Sequence, residues 1–301
     1  MIARADDFRD MAGIALPALL LAAGLAVMAA QLVPLHMPQP VTATASVTPP
    51  QTVTLPPGTL TYRAPGQFLR DGAQVDAPMT TVSFEAPLEM MTYQVSAADY
   101  ARCVADGACA PAAPRHQGVG DVPVTGVNFD DATDYAEWLS AATGQRWTLP
   151  TDAQWAYAAG SRFVDDALNI AENNANPALR WLANYEKEAA RQSSAQPMPR
   201  VLGAFGANEN GLMDMAGNVW EWTQTCNARV HIDAAGAVLS ELPACTIRVL
   251  EGQHRTPMSV FIRDARSGGC SVGVPPDNLG FRLVRQAEPN WFERLLARFG
   301  F

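Results

Sequence analysis

Residues 207–223 read ANENGLMDMAGNVWEWT. Glycine and asparagine break the stretch into short apolar pieces, and Trp220 and Trp222 bracket Glu221. No helical or two-residue period runs through it, so it reads as a series of turns. The same character extends outward from Gly160, where Gly, Pro and Asn recur between short apolar segments. Such a region is predicted to be loop-rich and to rely on disulfides or metal ions rather than on a large sheet.

Regular elements are clearer on the N-terminal side. In TDAQWAYAAG (151–160), Thr151 and Gln154 match a capping box, and Pro150 ends the strand that leads in. In DDATDYAEWLSAATG (130–144), Ala132, Tyr135, Ala136, Leu139 and Ala142 recur at helical spacing, with Gly144 as a stop. Partial alternation of apolar and polar residues predicts strands at LTYRA (60–64) and TTVSFEAPLEMMTYQV (80–95). The fold class is α+β.

The chain has 301 residues, 48% of them hydrophobic, enough for one large core or two modest ones. Its net charge is -9 and no stretch is strongly basic, which argues against a nucleic-acid partner. The five cysteines show no CxxC pair and no zinc-site spacing. Cys103 and Cys109 bracket a short polar loop and are candidates for a local disulfide in an oxidising compartment. Cys226 and Cys245 could close a second loop, leaving Cys270 as either a buried apolar residue or a free thiol.

Residues 11–33 form an uncharged apolar run, against the about 20 residues that a membrane-spanning helix needs. Arg4 and Arg9 precede it, and no Lys or Arg follows until Arg63. That asymmetry places residues 1–10 in the cytoplasm and the rest outside, as a single-pass inner-membrane protein with a periplasmic domain. A cleaved signal peptide is the rival reading; the run is long for one and the site near Ala29 and Ala30 is poor, so an uncleaved anchor is favoured. Residues 34–58, rich in Pro and Thr, read as an extended tether, and residues 59–285 as the folded domain. Residues 286–301 form a short amphipathic helix with Trp291, Phe292, Leu295, Leu296 and Phe299 on its apolar side. Packing on the domain and contact with a membrane or partner are both open to it.

Three strings, taken in order, resemble one family. VPVTGVNFDDATDYAEWLSAATGQRWTLPTDAQWAYAAG (122–160) is similar to its Pro-Val strand, helix and Arg-Leu-Pro-Thr-Glu segment. ANENGLMDMAGNVWEWT is similar to its Asn-x-x-Gly-Leu-x-Asp-Met-x-Gly-Asn-Val-Trp-Glu-Trp motif, and NLGFRLVR (278–285) to its Gly-Phe-Arg strand. The family is that of the formylglycine-generating enzymes, or sulfatase-modifying factors. The resemblance implies a C-type-lectin-like domain with little regular secondary structure. It also implies structural calcium held by Asp214, Gly217, Val219 and Glu221, a donor set of hard oxygens that suits the ion. The bland alternative is that Asp214 and Glu221 cap turns while Trp220 and Trp222 fill core. A second family calcium site would start at Asn184 and Tyr185, but its later carboxylate is not recognisable.

The resemblance fails at the family's chemistry. Active members carry two cysteines between an Arg-Gly-Gly-Ser strand and the Gly-Phe-Arg strand. These bind copper(I) and activate oxygen to convert a sulfatase cysteine to formylglycine. Here the matching segment has no cysteine before Cys270, and the two positions fall near Gln253 or His254 and near Met258. Copper or iron therefore has no support from the sequence. His254 and Met258 are ligand types copper accepts, and Arg263, Arg266 and Glu251 are the nearby polar groups, all weak candidates for a rebuilt catalytic site.

Three functions are consistent with this reading, and whether the chain is an enzyme stays open. The first is an accessory or maturation factor for a secreted enzyme, such as a metalloenzyme, with an envelope protein as partner. The second is an oxidoreductase of the same family using a non-cysteine site. The third is a carbohydrate- or surface-binding module, supported by fold analogy alone.

Overall fold

The computed structural model describes residues 47–164, 198–264, 266 and 278–287. The expected anchor, the start of the tether, Asn184, Tyr185, Cys270 and the C-terminal helix from residue 288 onward lie outside the described residues. Among the described residues no helix is long and apolar enough to cross a membrane.

Helix α1 (Ala97–Ala105) starts at Ser96, whose hydroxyl accepts from the Asp99 N–H at 2.9 Å. Helix α2 (Phe129–Thr143) has a full capping box. Asn128 Oδ1 accepts from Asp131 N, and Asp131 Oδ2 accepts from Asn128 N, each at 2.8 Å. Such a cap contributes about 1 kcal/mol. Gly144 closes α2 in the left-handed region, at φ 67°, as its type predicts. Helix α3 (Asp152–Ala159) carries the Thr151–Gln154 box read from the sequence.

Three sheets surround these helices. One runs in the order β1 (Thr52–Leu55), β6 (Leu88–Met91), β12 (Val284–Arg285), β7 (Trp147–Thr148). A second pairs β2 (Gly58–Arg63) with β5 (Met79–Phe84). The largest runs β10 (Thr256–Ser259), β9 (Val238–Glu251), β8 (Trp220–Ile232), β3 (Gln67–Arg70), β4 (Ala73–Val75), and the short β11 (Leu279–Gly280) lies parallel to β8.

Two expectations need correction. Thr52–Leu55 was expected in the tether, yet it pairs antiparallel with β6, Thr52 opposite Met91 and Leu55 opposite Leu88. The flanking prolines, Pro50 and Pros 56 and 57, disguise a β-branched strand whose Leu55 is buried. The loop-rich reading after Gly160 also misses the longest hairpin, β8 with β9, of 13 and 14 residues. Register shifts between Trp222 and Cys226 and between His231 and Ile232 interrupt its two-residue period. Val238, Leu239 and Leu242 are exposed on β9, which removes the alternation that marks a half-buried strand.

The main core gathers α1 and α2 against Trp222, Leu250, Met258 and Phe281. A second cluster sets Trp155 and Ala158 of α3 against Leu55, Met90, Leu212 and Val284. The strand segment Leu279–Arg285 threads between the two large sheets, so Arg282 lies fully buried between them.

Candidate functional site

The 207–222 motif is built around satisfied polar groups. Asn208 reaches the C-terminus of α3, donating from Nδ2 to the carbonyls of Ala158 at 2.8 Å and Ala159 at 3.1 Å. Its Oδ1 accepts from Asn210 N and Leu212 N, which shapes the Asn-Gly-Leu turn. Asp214 then accepts from two backbone donors, Gly203 N at 2.5 Å and Phe205 N at 2.8 Å. Asp214, Ala216 and Asn218 all hold positive φ, at 58°, 58° and 66°. Each costs on the order of 1 kcal/mol outside glycine, so the surrounding bonds must impose the turn. Asn218 contributes by pairing with both the N–H and the C=O of Arg200, each at 2.9 Å.

Glu221 is the centre of the motif and is fully buried. Arg282 grips it with two parallel bonds, Nε to Oε2 at 2.7 Å and Nη2 to Oε1 at 2.8 Å. Trp155 Nε1 donates to Oε2 at 2.9 Å and Gln94 Nε2 to Oε1 at 2.8 Å. The remaining Arg282 protons reach the carbonyls of Thr92 and Met213. One carboxylate thus joins β8, α3, the segment after β6 and the Gly-Phe-Arg strand.

These residues do not fit the calcium expected at Asp214, Gly217, Val219 and Glu221. Both Glu221 oxygens already take two N–H donors each, and Arg282 supplies the compensating charge. Gln94 Nε2 lies 3.0 Å from the Gly217 carbonyl and 2.8 Å from Glu221, a donor seated where the cation would bring these oxygens together. The Asp214 carboxylate is turned to backbone amides instead. Among the described residues no group of three or more His, Cys, Asp or Glu could hold a metal. The turn-capping alternative describes Asp214, and Trp222 fills core while its Nε1 donates to Val127 O.

In the segment matching the copper-thiolate region, His254 and Met258 are both buried. Met258 sits in β10 opposite Arg248 and belongs to the main core. His254 is 5% exposed, its ring edge-on to Trp220 at 5.6 Å, and its carbonyl accepts from Trp220 Nε1. Arg263 is tied to Asp131 Oδ1 at 2.6 Å and to the Pro111 carbonyl, which stitches this segment to α2. The Arg266 amide donates to Asp264, which also pairs with Arg115. Cys103 is bonded to Cys109 and Cys226 to Cys245, so every described cysteine is in a disulfide.

Glu251 does enter a cluster that sequence reasoning missed. Its carboxyl and that of Asp152 both meet Arg255 Nε, at 3.2 and 3.1 Å. Tyr62 faces Asp152, and the Arg255 guanidinium lies over the Tyr62 and Phe163 rings at 5.4 Å. Burial and then the Asp152 charge push the Glu251 carboxyl well above its usual range. Burial and then Asp152 likewise raise the Tyr62 phenol. Nothing local in the sequence couples residues so far apart.

A cavity of about 410 Å³ opens between α1 and the loop that follows it. Ala97, Ala101, Val104, Pro111, Val122 and Thr125 are among its walls, and no Asp, Glu, Lys or Arg lines it. The Cys103–Cys109 bond and the Tyr100 Oη bond to the Ala110 carbonyl hold the loop against α1. None of the site residues expected from the sequence lines this cavity, although Val122–Thr125 of the Pro-Val strand does.

Comparison with known proteins agrees with the motif reading. Residues 38–287 match the model of the sulfatase-modifying factor enzyme 1-like domain. A formylglycine-generating enzyme from Streptomyces coelicolor is 30% identical over 182 residues, 55% of this chain and 53% of the relative. The inactive C-alpha-formylglycine-generating enzyme 2 of Mus musculus is 29% identical over 180 residues, 56% and 50% of the two chains. The chain thus spans about half the length of these relatives. PvdO from Pseudomonas aeruginosa superposes with a TM-score of 0.51 at 23% identity, covering 79% of this chain and 95% of that one, a likeness of fold.

Proposed function

The chain belongs to the sulfatase-modifying factor enzyme 1-like family, and on that premise we propose that it is a membrane-anchored accessory factor that matures a secreted partner enzyme outside the cytoplasm without generating formylglycine. One observation carries the reading: where active members carry a thiolate pair, this chain has buried His254 and Met258 and no thiol. The family's copper(I) chemistry needs a thiolate pair at an accessible site, and buried His254 and Met258 supply neither thiolates nor access. A relative that is itself named inactive supports a scaffold kept without the chemistry. Disulfides at Cys103–Cys109 and Cys226–Cys245 support an oxidising compartment, and the apolar run 11–33 supports the anchor.

The cavity beside α1 is the docking feature in this reading. Its volume falls within the roughly 300–1,000 Å³ of small-ligand pockets, and its largely apolar walls, with His116 and Gln117 as polar points, take apolar side chains of the partner.

The test combines turnover with metal content. The purified full chain is incubated with a sulfatase cysteine peptide and oxygen, and the peptide is weighed by mass spectrometry. The expected result is an unchanged cysteine and no stoichiometric copper or iron. Formylglycine would refute the proposal outright. Bound copper or iron that is lost with His254→Ala would replace it with an oxidoreductase. For the partner, cross-linking in whole envelopes should yield a specific adduct that Ala101→Trp, which fills the cavity, abolishes.

A further inference from the structure

Asp152 opens α3 and Glu251 ends β9, and the fold brings both carboxyls onto a single nitrogen, Arg255 Nε. Asp152 and Glu251 are each 1% exposed. The charged neighbours of Glu251 are Asp152 and Arg255. Tyr62 faces the pair from β2 as a neutral phenol. Glu221 lies opposite Glu251 in the β8–β9 register, but its charge is already matched by Arg282. Two ionised carboxylates against one guanidinium would leave a net negative charge away from water. An uncompensated buried ion costs several kcal/mol, more than holding a carboxyl protonated a few pH units from its ordinary range. Asp152 is reached by Arg255 Nε, by the Tyr62 phenol and by the Glu251 carboxyl, and the last of these bonds needs a proton on the carboxyl.

We propose that Glu251 keeps its proton in the folded protein and donates it to the Asp152 carboxylate, so that with Arg255 the three form a neutral, proton-dependent clamp joining α3 to the end of β9. Through Arg255 the clamp fixes residues 252–258, the stretch that holds His254 and Met258. Its direction with pH follows from linkage. Burial, and then the Asp152 charge, raises the Glu251 carboxyl in the folded state above the ordinary 4.5 of the unfolded chain. The stabilisation is therefore complete below that unfolded value and is lost as pH rises through the folded one. One proton changes the folding equilibrium constant by up to about tenfold per pH unit across that window.

The experiment is urea denaturation of the full chain from about pH 4.5 to about pH 9. Wild type is compared with Glu251→Gln and Asp152→Asn, which keep shape but remove one ionisable carboxyl. Both variants should match wild type at the acid end and gain on it steadily as pH rises, with a flatter profile. A Glu251→Gln curve that stays parallel to wild type at every pH would overturn the proposal. Should a variant not fold, infrared spectra of the wild type decide. A carboxylic-acid C=O band persisting at neutral pH in the folded chain and vanishing on unfolding supports the clamp, and its absence refutes it.

Discussion

Replacing Glu221 by Gln leaves the Arg282 guanidinium buried at 0% exposure with its bidentate partner gone. The amide cannot accept on both sides, so at least one of the four N–H donors now aimed at this side chain loses its acceptor. Breaking a buried pair by removing one member costs about 3–5 kcal/mol. Against the about 5–15 kcal/mol that holds a typical domain together, that is a large fraction. For a chain of this size it corresponds to a fall in Tm of roughly 6–20 °C. Thermal unfolding read by tryptophan fluorescence is a direct assay, because Trp155 is fully buried and bonded to Glu221. The scans are run with added calcium and with a chelator. Wild-type Tm should not respond to either, and Glu221→Gln combined with Arg282→Met should recover much of the loss, since the orphaned charge is then gone. The reasoning is refuted if Glu221→Gln costs less than about 1 kcal/mol. It is equally refuted if the chelator lowers the wild-type Tm and Glu221→Gln abolishes that response, which would make the carboxylate a calcium ligand after all.

Two further outcomes follow from the same contacts. Asn208→Ala strips the bonds to the last carbonyls of α3 and to two turn amides; it should cost about 1–3 kcal/mol, measured by urea denaturation, while leaving partner cross-linking at the cavity intact. Removing the Cys226–Cys245 bond with a double alanine change opens a loop with a sequence separation of 19 and should lower stability by roughly 3 kcal/mol, whereas reductant should have no added effect on that variant through this pair.

Features legible in the sequence were the local ones. Thr151 and Gln154 are three residues apart, so their capping box depends on nothing beyond one turn of chain. Gly144 ends α2 because glycine tolerates the left-handed conformation there. The Cys103–Cys109 loop is short enough to close wherever the rest of the chain lies. The order of the three motifs was enough for the family. By contrast, β1 was mistaken for tether, since a strand of four residues reveals itself only through its partner, β6.

Residue type alone could not settle what the carboxylates do. Asp214 and Glu221 are equally good as calcium ligands or as acceptors of N–H bonds; the chemistry of a carboxylate is the same in both. What decides is which donors the fold delivers: Arg282 from the last strand, Trp155 from α3 and Gln94 from the segment after β6. The same holds for Asp152 and Glu251, each unremarked in its own segment and joined only where Arg255 meets both. Sequence by itself determined helices α2 and α3 with the Gly144 stop and the Thr151–Gln154 box, the disulfide pairs and the family, because each rests on contacts within a short span or on a pattern of residues in order, while α1 and the Asn128 cap went unread. Only the tertiary structure decided the roles of the buried charges, because burial removes water and leaves each carboxylate to be neutralised by whatever cation or proton the packing brings within about 3 Å.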